Sequence, residues 1–259
     1  MSSLTSYLEE RREQKDCLVM THVVCGYPSF EENWKELEIM QQHDVDLVEL
    51  QFPFSEPSAD GPLFVKANQE AIEKGVTVKD CFEFMQKVSE QFSFKVIMMG
   101  YYNTVFKTGH QAFLKRLAEA GAVGFILPDL PVDEAKELQT IAKELDLAPI
   151  VLMTPTNTDA RLKQLADCAE GFIYTVARRG VTGSQTDMDN EVAQFVGRCK
   201  NATDLPLAVG FGVSERKDIE FIGRHADIAV IGTAALKAWE QGKEAALDNF
   251  FSQLFSKTV

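Results

Sequence analysis

Short apolar runs alternate along the chain with longer stretches in which apolar positions recur every three or four residues. The runs fall at 17–25, 47–54, 95–103, 123–130, 148–155, 171–177, 205–212 and 226–234. Their nearly continuous hydrophobicity is that of strands covered on both faces of a parallel sheet. Between them the spacing is helical: Val78, Cys81, Phe82, Met85, Val88 and Phe92 share one face, and Val132, Ala135, Leu138, Ala142 and Leu145 share another. Pro131 stands near the start of that second helix, where a missing N–H costs least, and Asp159 and Ser214 are expected as caps further on. An opening helix within 1–16 is expected, with Ser6 and Glu9 spaced as a capping box.

Eight strand and helix alternations predict a (β/α)8 barrel, a pattern shared locally by doubly wound open sheets. Two features favour the barrel. The first strand is followed by CGYPSF, not by the G-x-G-x-x-G of a dinucleotide fold. Unusual residues also follow many strands instead of one: PFSEPSADGP, GYYN, PDLP, RRGVTG, GFG and IGT. In a barrel these ends converge on one mouth. The expectation is therefore an α/β protein, a single TIM barrel over 1–259 with an extra N-terminal helix, whose active-site loops are 53–61 and 178–187.

Composition narrows the partners. The 259 residues are 45% hydrophobic and 25% charged, an ordinary globular balance, and the net charge of -13 repels phosphate backbones and anionic membranes, so neither nucleic acid nor membrane is an expected partner. No run approaches the roughly 20 apolar residues of a membrane span, and the start has no signal-peptide core, so the expected location is cytoplasmic. Five cysteines without a C-x-x-C pair read as reduced core residues. Four histidines without metal-ligand spacing give no metal site, and no strand carries a lysine in its central or C-terminal part for a Schiff base.

Proton transfer by carboxylates is the chemistry that remains. Glu49 lies in the apolar run LVELQFPF, sharing parity with Leu47 and Gln51, where burial penalises a carboxylate unless it is paired or works at a wet mouth. Asp60 follows on the loop; a salt bridge for Glu49 and a turn role for Asp60 are the plainer alternatives. Gly212 with Ser214, and Gly232 with Thr233, stand after the seventh and eighth strands, where barrels commonly hold a phosphate. Residues 178–187 form a polar, glycine-containing segment suited either to a mobile active-site loop or to plain surface. Tyr102, Leu127, Tyr174 and Phe211 are expected to add an apolar, partly aromatic wall suited to a flat aromatic substrate.

The stretch ELQFPFSEPSADGP resembles the E-L-G-x-P-F-S-D-P-x-A-D-G-P signature of tryptophan synthase alpha chains, and GYYN, GFILPDLPVDE, GFIYTVARRGVTG, LPLAVGFGVS and ADIAVIGTA resemble the later blocks of that family in the same order. The resemblance implies a (β/α)8 lyase that cleaves indole-3-glycerol phosphate to indole and glyceraldehyde 3-phosphate. It implies Glu49 as the general acid/base and Asp60 as the group that stabilises charge at the indole nitrogen. Tyr174 would lie beside the substrate; Gly183, Gly212, Gly232 and Thr233 would contact phosphate; Thr182 would close against Asp60. It further implies no cofactor in this chain and a pyridoxal-phosphate-dependent beta chain as partner in an αββα heterotetramer, met by residues 53–60 and the loops after strands three and four. A catalytically weak subunit that only binds and stimulates the beta chain is the alternative. The chain departs from the family pattern at Gln51, for the usual glycine, at His22, for the usual aromatic residue, and at Tyr27, Glu56, Thr104 and Thr233.

Overall fold

Alternation along each strand divides the core in two. In the computed structural model, which describes residues 2–176, 185–210 and 212–255 and only the backbone of 185–189, eight strands pair in parallel and in sequence order, and the last returns to the first to close a barrel. They are β1 (Leu18–Val24), β2 (Leu47–Gln51), β3 (Lys95–Met99), β4 (Gly124–Ile126), β5 (Ala148–Met153), β6 (Ile173–Val176), β7 (Leu207–Gly210) and β8 (Ile228–Ile231). Inward positions such as Met20, Leu47, Ile97, Ile150 and Ile228 fill the barrel. Their neighbours, among them Val19, Val48, Val96, Phe125 and Val209, face outward into the layer beneath the helices. Both faces are dry, which is why the strands read as unbroken apolar runs.

The expected N-terminal helix is present at Ser3–Arg12 and closes the bottom of the barrel, with Leu4 and Leu8 fully buried in the interior cluster. Its cap is Ser2, whose hydroxyl accepts from the Thr5 N–H, and not Ser6, whose own N–H is already bonded to the Ser2 carbonyl at 3.2 Å. Starting the helix this early is what brings Leu4 under the barrel. The same end is pinned electrostatically. Asp46 is wholly buried and accepts from Arg11 Nε at 2.8 Å, Lys15 Nζ at 3.0 Å and the Val19 N–H at 2.9 Å, so the buried carboxylate is compensated from several directions.

The amphipathic stretch at 78–92 is the helix Val78–Gln91, opened by a reciprocal Thr77 and Asp80 capping box. After β4 the chain makes a short 3₁₀ turn, Val132–Glu134, before the helix Lys136–Glu144, so helix formation begins later than the apolar spacing suggests. The expected caps at Asp159 and Ser214 also shift. Thr158 caps Asp159–Ala166, while Asp218 reaches back to accept from the Ser214 and Glu215 N–H groups at 2.9 and 3.0 Å. For the mouth, the decisive feature is the β1 to β2 register: His22 lies opposite Glu49 and Val24 opposite Gln51.

Candidate active site

A cavity of about 470 Å³ opens at the C-terminal ends of the strands. Its floor is carboxylate chemistry. Glu49, inward on β2, is only 3% exposed. Among the described residues its Oε2 is the one buried side-chain oxygen or nitrogen that makes no hydrogen bond. The nearest cation is His22, whose Nδ1 lies 3.3 Å from that oxygen, near enough for charge attraction but poorly aligned for a hydrogen bond. A buried carboxylate oxygen without an aligned donor is costly for stability, and it is available to a reacting group.

Asp60 reaches the same cavity from the loop after β2. Gly61 and Pro62 start the helix Pro62–Glu73, with proline in the first turn, and this sets where the loop ends. The carboxylate accepts from Gln51 Nε2 at 2.6 Å and from the Tyr101 hydroxyl at 3.3 Å. Tyr101 also accepts the Ala59 N–H at 3.0 Å and stacks on Phe54 with ring centroids 4.9 Å apart, so β3 holds the loop from below. His22 completes the floor: its Nε2 lies 2.8 Å from Gln51 Oε1 and its ring packs on Phe64 at 4.4 Å.

These contacts shift proton affinities. Burial pushes the His22 imidazole down, but Glu49 and, further off, Asp60 push it up by more, leaving it at about 9. The site therefore favours a proton on the imidazole more than water does. Burial raises the Asp60 carboxyl above its ordinary value, although His22 and the Gln51 hydrogen bond work against that shift. Tyr174 is raised well above the usual phenol range by burial and then by Glu49 and Asp60, so it stays neutral.

The opposite wall suits an anion. Gly212 has φ +93°, a conformation that disfavours side chains, and it is followed by Ser214 at the cavity edge. Gly232 approaches so closely that an added Cβ would meet the Phe64 ring at 3.3 Å. Thr233 then begins the helical segment Thr233–Phe255, which breaks at Gly242 and Lys243, and the first N–H groups and dipole of its opening helix favour negative charge. Lys237, one turn along, lines the same cavity.

Of the site residues expected from sequence, the fold brings Glu49, Asp60, Tyr174, Gly212, Gly232 and Thr233 around this one cavity. Tyr102 and Leu127 are corrected. Inward parity on β3 runs Ile97, Met99 and then Tyr101, so the neighbouring Tyr102 turns away and its hydroxyl meets His110 Nε2 at 2.9 Å. On β4, Ile126 is inward and lines the cavity with Pro128, whereas Leu127 packs in the outer layer. Thr182, Gly183 and Phe211 lie outside the described residues. Sequence reasoning missed Tyr101 and Lys237, and saw His22 and Gln51 only as departures from a pattern. No group of three or more His, Cys, Asp or Glu side chains among the described residues could hold a metal ion. No described helix is long and apolar enough to cross a membrane.

Comparison with known proteins gives a consistent picture. The family model described as tryptophan synthase alpha chain matches residues 8–255. A tryptophan synthase alpha chain of Syntrophotalea carbinolica is 43% identical over 251 residues, 97% of this chain and 99% of that one. Among solved structures, the tryptophan synthase subunit alpha from Campylobacter jejuni superposes with a TM-score of 0.85 at 28% identity, covering 95% of this chain and 98% of that one. A chain of tryptophan synthase from M. tuberculosis in an open form gives 0.88 at 28% identity, covering 98% and 97%.

Proposed function

The chain belongs to the tryptophan synthase alpha chain family, and we propose that Glu49 and Asp60 carry the family's reaction at the mouth just described. That reaction is the lyase step of tryptophan biosynthesis: indole-3-glycerol phosphate is cleaved to indole and glyceraldehyde 3-phosphate, and indole passes to a beta chain in an αββα assembly. Glu49 delivers a proton to the indole C3 carbon, which makes the ring an electron sink. It then takes the proton of the glycerol hydroxyl next to the breaking bond, as that carbon becomes the aldehyde and the C–C bonding pair returns to the ring. One proton leaves Glu49 and one comes back. Asp60 faces the ring nitrogen, where positive charge develops, and its negative charge lowers the barrier there.

The observation that carries this assignment is the Glu49 Oε2, buried without a hydrogen bond at the edge of the cavity. Tyr174 packs beside the ring. Gly212, Gly232 and Thr233 hold the phosphate, with Gly183 joining them and Thr182 meeting Asp60 on the strength of the family motif. The chain works as one domain, with residues 53–61 and 178–187 as its site loops. It uses no cofactor of its own, the pyridoxal phosphate belonging to the beta partner, and its setting is the cytoplasm.

The test is indole release from indole-3-glycerol phosphate by the purified chain, alone and with a beta chain. Slow release that the partner accelerates is expected. No release in either condition, with the beta chain's serine chemistry still stimulated, would leave only a binding subunit.

A further inference from the structure

His22 and Gln51 both depart from the family pattern, and the fold puts them in contact. They stand on neighbouring strands, both inward, with His22 opposite Glu49 in the β1 to β2 register. We propose that His22 and Gln51 are positioning residues that join Glu49 to Asp60 in one chain of contacts and hold a single proton between the His22 imidazole and the Glu49 carboxyl. This rests on the reading of Glu49 and Asp60 as the catalytic pair.

The direction of each bond follows from donor chemistry. The Asp60 carboxylate accepts, so the group of Gln51 that meets it at 2.6 Å is the amide NH2. The Gln51 carbonyl oxygen then faces His22 Nε2 at 2.8 Å, and that nitrogen must carry the hydrogen. Only Nδ1 remains variable. It faces Glu49 Oε2 at 3.3 Å, either as N–H against a carboxylate or as a bare nitrogen against a carboxylic acid. A bare nitrogen beside an ionised oxygen would oppose two lone pairs in a buried site, so the pair retains one proton. Asp60, nine residues beyond Gln51, thereby helps to decide which imidazole nitrogen serves Glu49.

Other groups around His22 do not displace this arrangement. Tyr174 on β6 and Lys237 on the last helix line the same cavity, and Glu36 lines a small void behind β1 that His22 also borders. Burial raises Glu36 to about 8, opposed by its Asn33 hydrogen bond, so it is largely neutral near pH 7. Phe64 and Gly232 close the remaining sides without charge. Burial lowers the imidazole's proton affinity, yet the carboxylates bring it to about 9, consistent with a proton kept through neutral pH.

In the reaction, the single proton moves from Nδ1 to Oε2 and then from Oε2 to the C3 carbon, leaving the pair without it until the glycerol hydroxyl proton refills the pair. The pair therefore begins and ends each turnover with one proton.

The experiment is a ¹⁵N-histidine NMR titration of the intact wild-type chain and of Glu49→Gln and Gln51→Gly, beside pH profiles of indole release for wild type, His22→Phe and Gln51→Gly with a beta chain. The wild-type His22 is expected to hold hydrogen on Nε2 and to titrate near 9. Its midpoint should fall by at least about one pH unit in Glu49→Gln, and the Nε2 preference should weaken in Gln51→Gly. Gln51→Gly and His22→Phe should lower kcat roughly tenfold and displace a limb of the pH profile, with KM within about twofold. If every protein fails to release indole while the titrations move as stated, the coupling stands and the proposed catalytic function fails. A His22 that titrates at its ordinary value and ignores Glu49→Gln overturns the coupling, as does an unchanged pH profile in both variants.

Discussion

Removing the charge partner of His22 should change how the stability of the whole chain depends on pH. The folded imidazole binds its proton at about 9 against an ordinary value of 6.5. A folded value raised above the unfolded one gives stability that is complete below pH 6.5 and is lost as the pH climbs towards 9. At roughly 1.4 kcal/mol for each pH unit, the difference amounts to about 3 to 4 kcal/mol, with little solvent screening because the ring is 9% exposed. Urea denaturation of wild type at intervals from pH 6 to 9.5 should show that decline. Two substitutions should make it shallower than in wild type by different routes: Glu49→Gln removes the charge that holds the proton, and His22→Phe removes the titrating ring. Two other losses have the same sign and are common to all three proteins: burial raises Glu36 to about 8 from 4.5, which adds a decline up to about pH 8, and pushes the Cys17 and Cys199 thiols up to about 12 from 9.0, which sets in mainly at the top of the range. Parallel declines in wild type and both variants would refute the electrostatic account of the mouth.

Other expectations separate scaffold from site. Leu8→Ala, at the fully buried bottom of the barrel, should cost about 3 kcal/mol in urea denaturation while activity per folded molecule is kept; a large activity loss without destabilisation would contradict the role of a plug. Lys237→Ala should raise KM for the phosphorylated substrate by a few-fold at low salt, less at high salt, with kcat nearly unchanged. Steady-state kinetics at two ionic strengths would show it, and a fall in kcat alone would place Lys237 elsewhere in the cycle.

Much of this mouth was legible before any fold was seen. A carboxylate in LVELQ stands out because burial penalises it, and the glycines after β7 and β8 stand out because they fall where backbone must approach an anion. Parity was the harder matter. In VIMMG and GFIL every position is apolar, since both faces of the strand are dry, so periodicity gives no sign of which side chains look inward. Tyr102 for Tyr101 and Leu127 for Ile126 are both errors of one residue, the slip that exchanges the two faces. The contact of His22 with Gln51 was illegible for a different reason. It depends on the pairing register between two strands joined by a helix, which no local pattern records.

The most direct measurement is single-turnover cleavage of indole-3-glycerol phosphate by wild type and Glu49→Gln, each saturated with a beta chain, with substrate affinity measured alongside. Loss of a positioned general acid should slow the chemical step by about 10² to 10⁴-fold while affinity stays within a few-fold. Cleavage by Glu49→Gln at the wild-type rate would remove Glu49 from the chemistry, and with it the central claim drawn from its buried oxygen that makes no hydrogen bond.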